Sequence, residues 1–338
     1  MPASGVSTVT EQALAAPVLA DILAARNVIR RYLPETPVIM PPALAAALGF
    51  DVVLKLENLQ PIGAFKVRGG INLINQLTPA QRASGVVTAS TGNQAQSIAY
   101  AARLFGTRAI IYMPTINNPD KVAATRRLGG EVIEFGDDFD SCREEAERRA
   151  ERDGMRFIHP ANEPALIAGV GTYALELIER APDLDVVIVP VGGGSGVCGT
   201  AIVFKTMRPE TRILAVQTAA MPAVYRSFHE RQLVALGPEA GHTFAEGLAT
   251  RVAFQMPFEL MQRLVDDVLI VSEEELRQAM VMLLDMAHVV AEGAGAAPLA
   301  AARQLAPQLQ GKRVGLIVSG GNVTLDTLKH ALGDTGSW

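Results

Sequence analysis

Lysine is scarce in this chain, with six against twenty-four arginines among 338 residues. Arginine is not deprotonated in a protein, whereas a lysine in a dry site can become a neutral nucleophile toward a carbonyl. Of the six, Lys66 has the most telling surroundings. It follows a strand-like Val52-Val53-Leu54-Lys55-Leu56 and a Pro61-Ile62-Gly63 turn, and it leads into Gly69-Gly70. Gly63 and Phe65 beside it would let something flat come close. Taken alone, the same residues also describe a surface lysine capping a turn.

A second signal lies in the apolar run Asp185-Val186-Val187-Ile188-Val189-Pro190-Val191, followed by Gly192-Gly193-Gly194-Ser195-Gly196. Consecutive N–H groups ahead of a helix start make an anion nest suited to phosphate. Gly194-x-Gly196-x-x-Gly199 also matches the dinucleotide fingerprint, which needs an acid about 20 residues on, at the end of the next strand. That strand, Arg212-Ile213-Leu214-Ala215-Val216, ends in Gln217, so the acid that would hold a ribose is missing. A tight turn packing helix on strand is the other reading. No GxxxxGK[ST] run is present, which excludes a nucleoside-triphosphate loop of that kind.

Three further stretches have the same character. Ala89-Ser90-Thr91-Gly92-Asn93-Gln94 closes a strand and opens a helix, presenting hydroxyls, amides and N–H groups. Ser319-Gly320-Gly321-Asn322 ends the last strand in the same fashion, and Glu292-Gly293-Ala294-Gly295 offers one carboxylate in a small-residue run. Singly, such residues only cap helices. Together, an amine, a phosphate nest and small polar loops at several strand ends call for a phosphorylated, flat, carbonyl-bearing cofactor, pyridoxal 5'-phosphate.

The elements that must position these groups alternate along the chain. Helical spacing over Leu19–Ile29 ends before Pro34 and Pro37, and residues 1 to about 16 are small, polar and loosely held. Strands are expected at 51–57, 85–90, 108–113, 131–135, 157–158, 185–191, 212–217, 267–271 and 313–318. Helices are expected at 41–48, from Lys66 to about Leu77, and at 94–105, 121–128, 166–181, 197–207, 273–290 and 296–307. A capping box, Ser141-x-x-Glu144, is read as opening a charged helix to about Arg152. The alternation argues an α/β chain with mainly parallel sheets, two open three-layer αβα domains. A small inset domain is expected at 86–157, between the halves, 1–85 and 158–338, of a large cofactor-binding domain.

Composition narrows the partners. Apolar residues at 49% with 19% charged describe a globular chain with ample core. A net charge of -5 leaves no basic face for nucleic acid or an anionic membrane. Cys142 and Cys198 are the only cysteines and form no CxxC, which fits a reduced, cytoplasmic protein without a thiolate metal site. Val186 to Phe204 is uncharged and nearly long enough to span a bilayer, but its Gly loop would leave backbone unsatisfied in lipid. His159, His229, His242, His288 and His330 show no metal spacing. Met280, Met282 and Met286 read as helix core, and Glu144–Arg152 as a solvated face. The start lacks the pattern of a secretion signal, and with the sequence running to Trp338 no appended regulatory domain is expected.

The chain resembles the fold-type II pyridoxal-phosphate enzymes (the tryptophan synthase β-like fold), and within them the serine/threonine dehydratase and serine racemase branch. The likeness runs from about residue 20 to 335. It rests on Glu57-Asn58-Leu59-Gln60, Phe65-Lys66-Val67-Arg68-Gly69, Ser90-Thr91-Gly92-Asn93, the Gly192–Gly196 loop, Thr243-Phe244-Ala245-Glu246-Gly247 and Ser319-Gly320-Gly321-Asn322. The resemblance implies that Lys66 carries the cofactor as a Schiff base and shuttles the Cα proton. It implies Phe65 against the ring, Asn93 on the phenolic oxygen, Gly192, Gly193, Gly194, Ser195 and Gly196 on the phosphate, and Ser319 at the ring nitrogen. Glu292 and Asn322 complete the cofactor site, and Ser90, Thr91 and Gln94 take the substrate carboxylate. Thr91 is the second candidate catalytic group.

A serine hydroxyl at the ring nitrogen leaves it unprotonated and makes the cofactor a weaker electron sink, which favours elimination. The implied activity is dehydration of a small β-hydroxy amino acid, L-threonine or L-serine, to a 2-oxo acid and ammonia by a homodimer. Some positions depart from the branch. Gln94 stands where His is common, Ser195 where a fourth loop Gly is usual, and Gln217 where a Glu often binds a cation, so no metal is expected. Thr91 stands where serine racemase has a second serine, and a racemase remains the nearest alternative. Dehydratases for hydroxyaspartate, phenylserine or a hydroxyectoine-derived substrate are further ones. Outside this class, an idle amino-acid sensor or a nicotinamide oxidoreductase would be the competing readings.

Overall fold

The structure is a computed structural model that describes residues 15–117, 119–237 and 240–333. Most of the stretch expected to be loosely held, up to Leu14, lies outside the described residues.

Among the described residues ten strands form two sheets. They are β1 (Val38–Ile39), β2 (Asp51–Leu56), β3 (Val86–Ala89), β4 (Ala109–Met113), β5 (Glu131–Glu134), β6 (Arg156–Phe157), β7 (Val186–Pro190), β8 (Arg212–Thr218), β9 (Asp267–Val271) and β10 (Arg313–Val318). The larger sheet has the order β1-β2-β10-β7-β8-β9, and the smaller the order β5-β4-β3-β6. Every pairing is parallel except β1 with β2.

Burial explains why these runs become central strands. Along β7, Val187 and Val189 enter one apolar core while Val186 and Ile188 enter the other. Successive side chains of a strand point to opposite faces, so a strand covered on both sides must be apolar throughout. The smaller sheet repeats this: Ile110 and Tyr112 pack on one side, Ile111 and Met113 on the other. Helices supply the covering layers. Lys66–Asn75, Pro164–Arg180 and Ser195–Met207 carry most of the core on one face of the larger sheet. Glu273–Ala287 and Gly293–Gln304 cover the other, with Met280 and Met282 buried and Met286 packed against them.

Parallel order places the chemistry. With every central strand running the same way, the loops after β2, β7 and β10 leave one edge of the larger sheet, the edge where open α/β sheets form clefts. Val318 at the end of β10 pairs with Leu56 at the end of β2, which sets Ser319 beside the segment leading to Lys66. The backbone completes the join: Phe65 N–H donates to Ser319 O at 3.0 Å and Gly321 N–H to Gly63 O at 2.9 Å.

One expected feature is corrected. The helix Phe139–Asp153 is capped by Asp138, whose side chain accepts from Ser141 N–H, so Ser141 is the third helical residue and not the cap. Asp138 has extended backbone and places a carboxylate at the positive helix end, where it outcompetes a hydroxyl. Elements beyond the expected set include β1 and the helices Pro79–Ser84, Ala223–Glu230, Gln255–Leu264, Ala306–Leu309 and Leu325–Gly333.

Candidate active site

Lys66 is the first residue of its helix, and its amine donates to Ser195 Oγ at 2.9 Å. Phe65 precedes it with the ring centroid 5.1 Å from the amine. Tyr173 meets the Phe65 ring edge-on at 6.0 Å and donates to Gly196 O at 2.9 Å, which ties the lysine segment to the glycine loop. Withdrawal from water pushes the Lys66 ammonium down to about 8, since burial penalises the charged form. An amine with that pKa is available as a neutral nucleophile near neutral pH.

The glycine loop requires its glycines. A Cβ at Gly192 would lie 2.2 Å from Gly247 O, and Gly194 has φ +95 with a virtual Cβ 2.5 Å from Pro257. Gly194 caps the helix Ser195–Met207, so the loop delivers the free N–H groups of the helix start beside the Lys66 amine. An amine of lowered pKa and an anion cradle in contact through Ser195 are what pyridoxal phosphate needs at its aldehyde and phosphate ends. The residues present therefore fit the cofactor.

On the far side of Lys66 a chain of amides runs to a carboxylate. Asn322 donates through Nδ2 to Ile62 O at 2.8 Å and to Asn93 Oδ1 at 2.7 Å, and Asn93 donates to Glu292 Oε1 at 2.8 Å. Both ends of the Asn93 amide are thus engaged. Glu292 sits under Gly320, where a Cβ would come 2.3 Å from its Oε1. Burial pushes the Glu292 carboxyl up to about 7, against the lowering effect of Asn93 and Lys121, while Glu246 adds to the rise.

The loop after β3 holds the remaining expected residues. Ser90 is buried, and its Oγ accepts from Ala95 N–H at 3.2 Å and, more loosely, Gly92 N–H at 3.5 Å. It shapes the loop and keeps its own proton to donate. Gln94 is buried with Nε2 lacking a hydrogen-bond partner among the described residues. A buried unpaired donor costs about 1–3 kcal/mol, so this amide is open to a ligand. Thr91 lies half-buried between them, and Ser319 is buried at the end of β10.

Behind Lys66 is a group of charges with no counterpart among the expected site residues. Arg68 is fully buried and donates to both carboxylate oxygens of Glu57, at 2.8 and 2.9 Å, and to both of Glu176, at 2.6 and 2.8 Å. Lys55 donates to Glu176 at 2.5 Å and to Thr36 O at 2.8 Å, and Thr36 Oγ1 donates to Glu57 at 2.6 Å. Coulombic attraction from both carboxylates outweighs burial and keeps Arg68 charged. The network fixes β2 and the Lys66 helix to Pro164–Arg180. A charged pair inside otherwise apolar stretches was the available sequence signal.

The other motifs resolve as structure. Gln217 is buried, and its Oε1 accepts from Val224 and Tyr225 N–H at 2.9 and 3.0 Å, capping the helix Ala223–Glu230. His159 Nδ1 accepts from Ala161 and Asn162 N–H at 3.0 and 2.8 Å, and burial drives its pKa down to about 4, so it is neutral. Among the described residues no cluster of three or more His, Cys, Asp or Glu could hold a metal ion, and no helix is long and apolar enough to cross a membrane.

Comparison with known proteins agrees with this geometry. The family model described as pyridoxal-phosphate dependent enzyme matches residues 29–320. The chain belongs to this family. Within it, the L-threonine ammonia-lyase of Thermotoga maritima is 40% identical over 314 residues, 93% of this chain and 78% of that protein. The catabolic L-threonine dehydratase TdcB of Staphylococcus aureus is 38% identical over 323 residues, 94% of this chain and 93% of that protein. Among solved structures, maize serine racemase superposes with a TM-score of 0.87 at 34% identity, over 94% of this chain and 99% of that one. The pyridoxal-phosphate family assignment bears out both the fold class and the cofactor read from the sequence.

Proposed function

We propose that this pyridoxal-phosphate enzyme is an ammonia-lyase that dehydrates a small β-hydroxy amino acid, L-threonine or L-serine, to a 2-oxo acid and ammonia. The observation that carries the reading is the Lys66 amine, lowered to about 8 and hydrogen-bonded to the residue that opens the phosphate-cradling helix. When bound, the cofactor supplies an electron sink for the electrons of the Cα–H bond.

The protein's residues do the rest. Lys66 would hold the cofactor at its aldehyde end, and its Nζ is the base placed to take the Cα proton. Gly192, Gly193, Gly194, Ser195 and Gly196 hold the phosphate, Phe65 flanks the ring, Ser319 meets the ring nitrogen, and Asn93, with Asn322 and Glu292 behind it, orients the phenolic oxygen. Ser90, Thr91 and Gln94 bind the substrate carboxylate through hydroxyls, the open Gln94 amide and the N–H groups of the helix Asn93–Leu104. Residues 86–157 act as a small domain closing on the large one formed by 1–85 and 158–338. The enzyme works as a cytoplasmic homodimer with no nucleic-acid or membrane partner, a reading supported by the net charge of -5 and by two buried free cysteines.

A panel of β-hydroxy amino acids assayed for ammonia and 2-oxo acid tests the reading: L-threonine or L-serine should give both products in equal amounts, and absence of both across the panel overturns it. The likeness to maize serine racemase favours one second reading, racemisation with the Thr91 hydroxyl as the opposing acid. Chiral analysis after incubation with L-serine separates them, since racemisation accumulates D-serine whereas dehydration leaves pyruvate.

A further inference from the structure

Lys121 and Glu246 lie 125 residues apart in the chain, yet their side chains form an ion pair. Lys121 belongs to the helix Pro119–Arg127, whose Val122 packs with Ala95, Ala99, Ile111 and Met113 on the smaller sheet. Glu246 opens a short turn, Glu246–Leu248, whose Leu248 is buried in the core of the larger sheet. The pair is therefore a tie between the two sheets' territories.

It also borders the candidate active site. Lys121, Glu246, Glu292, Asn322, Thr324 and Thr327 line a cavity of about 160 Å³. Glu292 forms one wall and is the carboxylate that accepts from Asn93. The lysine side chain is 17% exposed and the glutamate 48%, so Lys121 is the withdrawn partner and Glu246 the one facing water. An ammonium so placed must be paired: Glu246 pairs with it directly, and Glu292 lines the same cavity.

We propose that Lys121 is a positioning residue for the lyase site: its ammonium clasps Glu246 at the exposed end of the cavity that Glu292 also lines, holding the two sheets' elements together over the site. The assignment of Glu292 and Asn93 to the site rests on the function proposed above. Lys121, Glu246 and Glu292 are the charged residues lining the cavity, and Arg277 stands 5.3 Å over the ring of Phe244 in its wall. Lys121 lowers the Glu292 pKa and Glu246 raises it, so the two members of one pair act on Glu292 with opposite sign. A merely structural tie would affect Glu292 alike whichever partner is removed.

The test compares Lys121→Met, Glu246→Gln and the charge swap Lys121→Glu/Glu246→Lys. Hydrogen exchange over 119–127 in the cofactor-free chain reports the clasp without reference to activity. With cofactor bound, its absorbance is followed against pH, and KM and kcat are measured for ammonia release. Both single variants should speed exchange in 119–127 and raise KM about three- to tenfold with kcat within about twofold, as expected when a closure contact is lost. The absorbance midpoint should rise in Lys121→Met and fall in Glu246→Gln, and the swap should restore exchange and KM. Midpoints that move together or stay fixed, or a swap that restores neither, overturn the proposal. If the parent enzyme releases no ammonia, the function reading fails, whereas exchange and absorbance still decide the clasp.

Discussion

Lys66 Nζ donates to Ser195 Oγ at 2.9 Å, so the candidate nucleophile and the first residue of the helix after the glycine loop are bonded directly. The loop thereby positions the amine. Removing that hydroxyl with Ser195→Ala should leave the fold intact and weaken pyridoxal phosphate binding about tenfold, the equivalent of one hydrogen bond to a charged group. Absorbance titration measures it, and an unchanged Kd would assign Ser195 no part in binding.

The lowered Lys66 pKa has a consequence for stability. Its folded value of about 8 lies below the ordinary 10.5, so between these pH values the unfolded chain binds more protons than the folded one. Stability of the cofactor-free protein should therefore rise with pH from about 8 to about 10.5, relative to Lys66→Met, in which the slope is absent. Denaturant unfolding at several pH values checks the sign.

Glu292 behaves in the opposite way. Its folded value of about 7 lies above the ordinary 4.5, so the folded chain binds more protons in between, and stability should fall as pH rises through that window. Glu292→Gln should flatten the slope. Gly320→Ala should disturb the same group sterically, because its Cβ would sit 2.3 Å from Glu292 Oε1 and displace the carboxylate from Asn93. A Gly320→Ala enzyme with the parent's cofactor spectrum would contradict that coupling.

Arg68→Met should be among the most damaging single changes away from the cleft. It leaves Glu57 and Glu176 buried with only Lys55 between them, and breaking such a pair costs about 3–5 kcal/mol. Thermal unfolding should show a large loss of stability. A loss below about 1 kcal/mol would mean that the carboxylates protonate or reach water.

Lys66, the glycine loop and the polar strand ends were legible from the sequence because each combines a chemical group with turn chemistry at the end of an apolar run. Central strands were legible for the same reason: β7 and β10 are apolar on both faces. Contacts between distant segments were not. Nothing local marks Asn93 as sharing its amide between Glu292 and Asn322, and Glu57, Arg68 and Glu176 give no spacing from which to infer one cluster. Short helices such as Ala223–Glu230 escaped because their caps are long-range, here the Gln217 side chain. At the helix Phe139–Asp153 the local pattern misleads, because Ser141 and Glu144 match the capping pattern while Asp138 caps with a single side-chain bond.

The central claim is that Lys66 carries the cofactor. Borohydride reduction of the reconstituted enzyme followed by peptide mapping tests it most directly. The pyridoxyl group should appear on the peptide containing Lys66, and Lys66→Ala should lose both the label and ammonia release. Label on another lysine, or undiminished labelling of Lys66→Ala, would contradict the account.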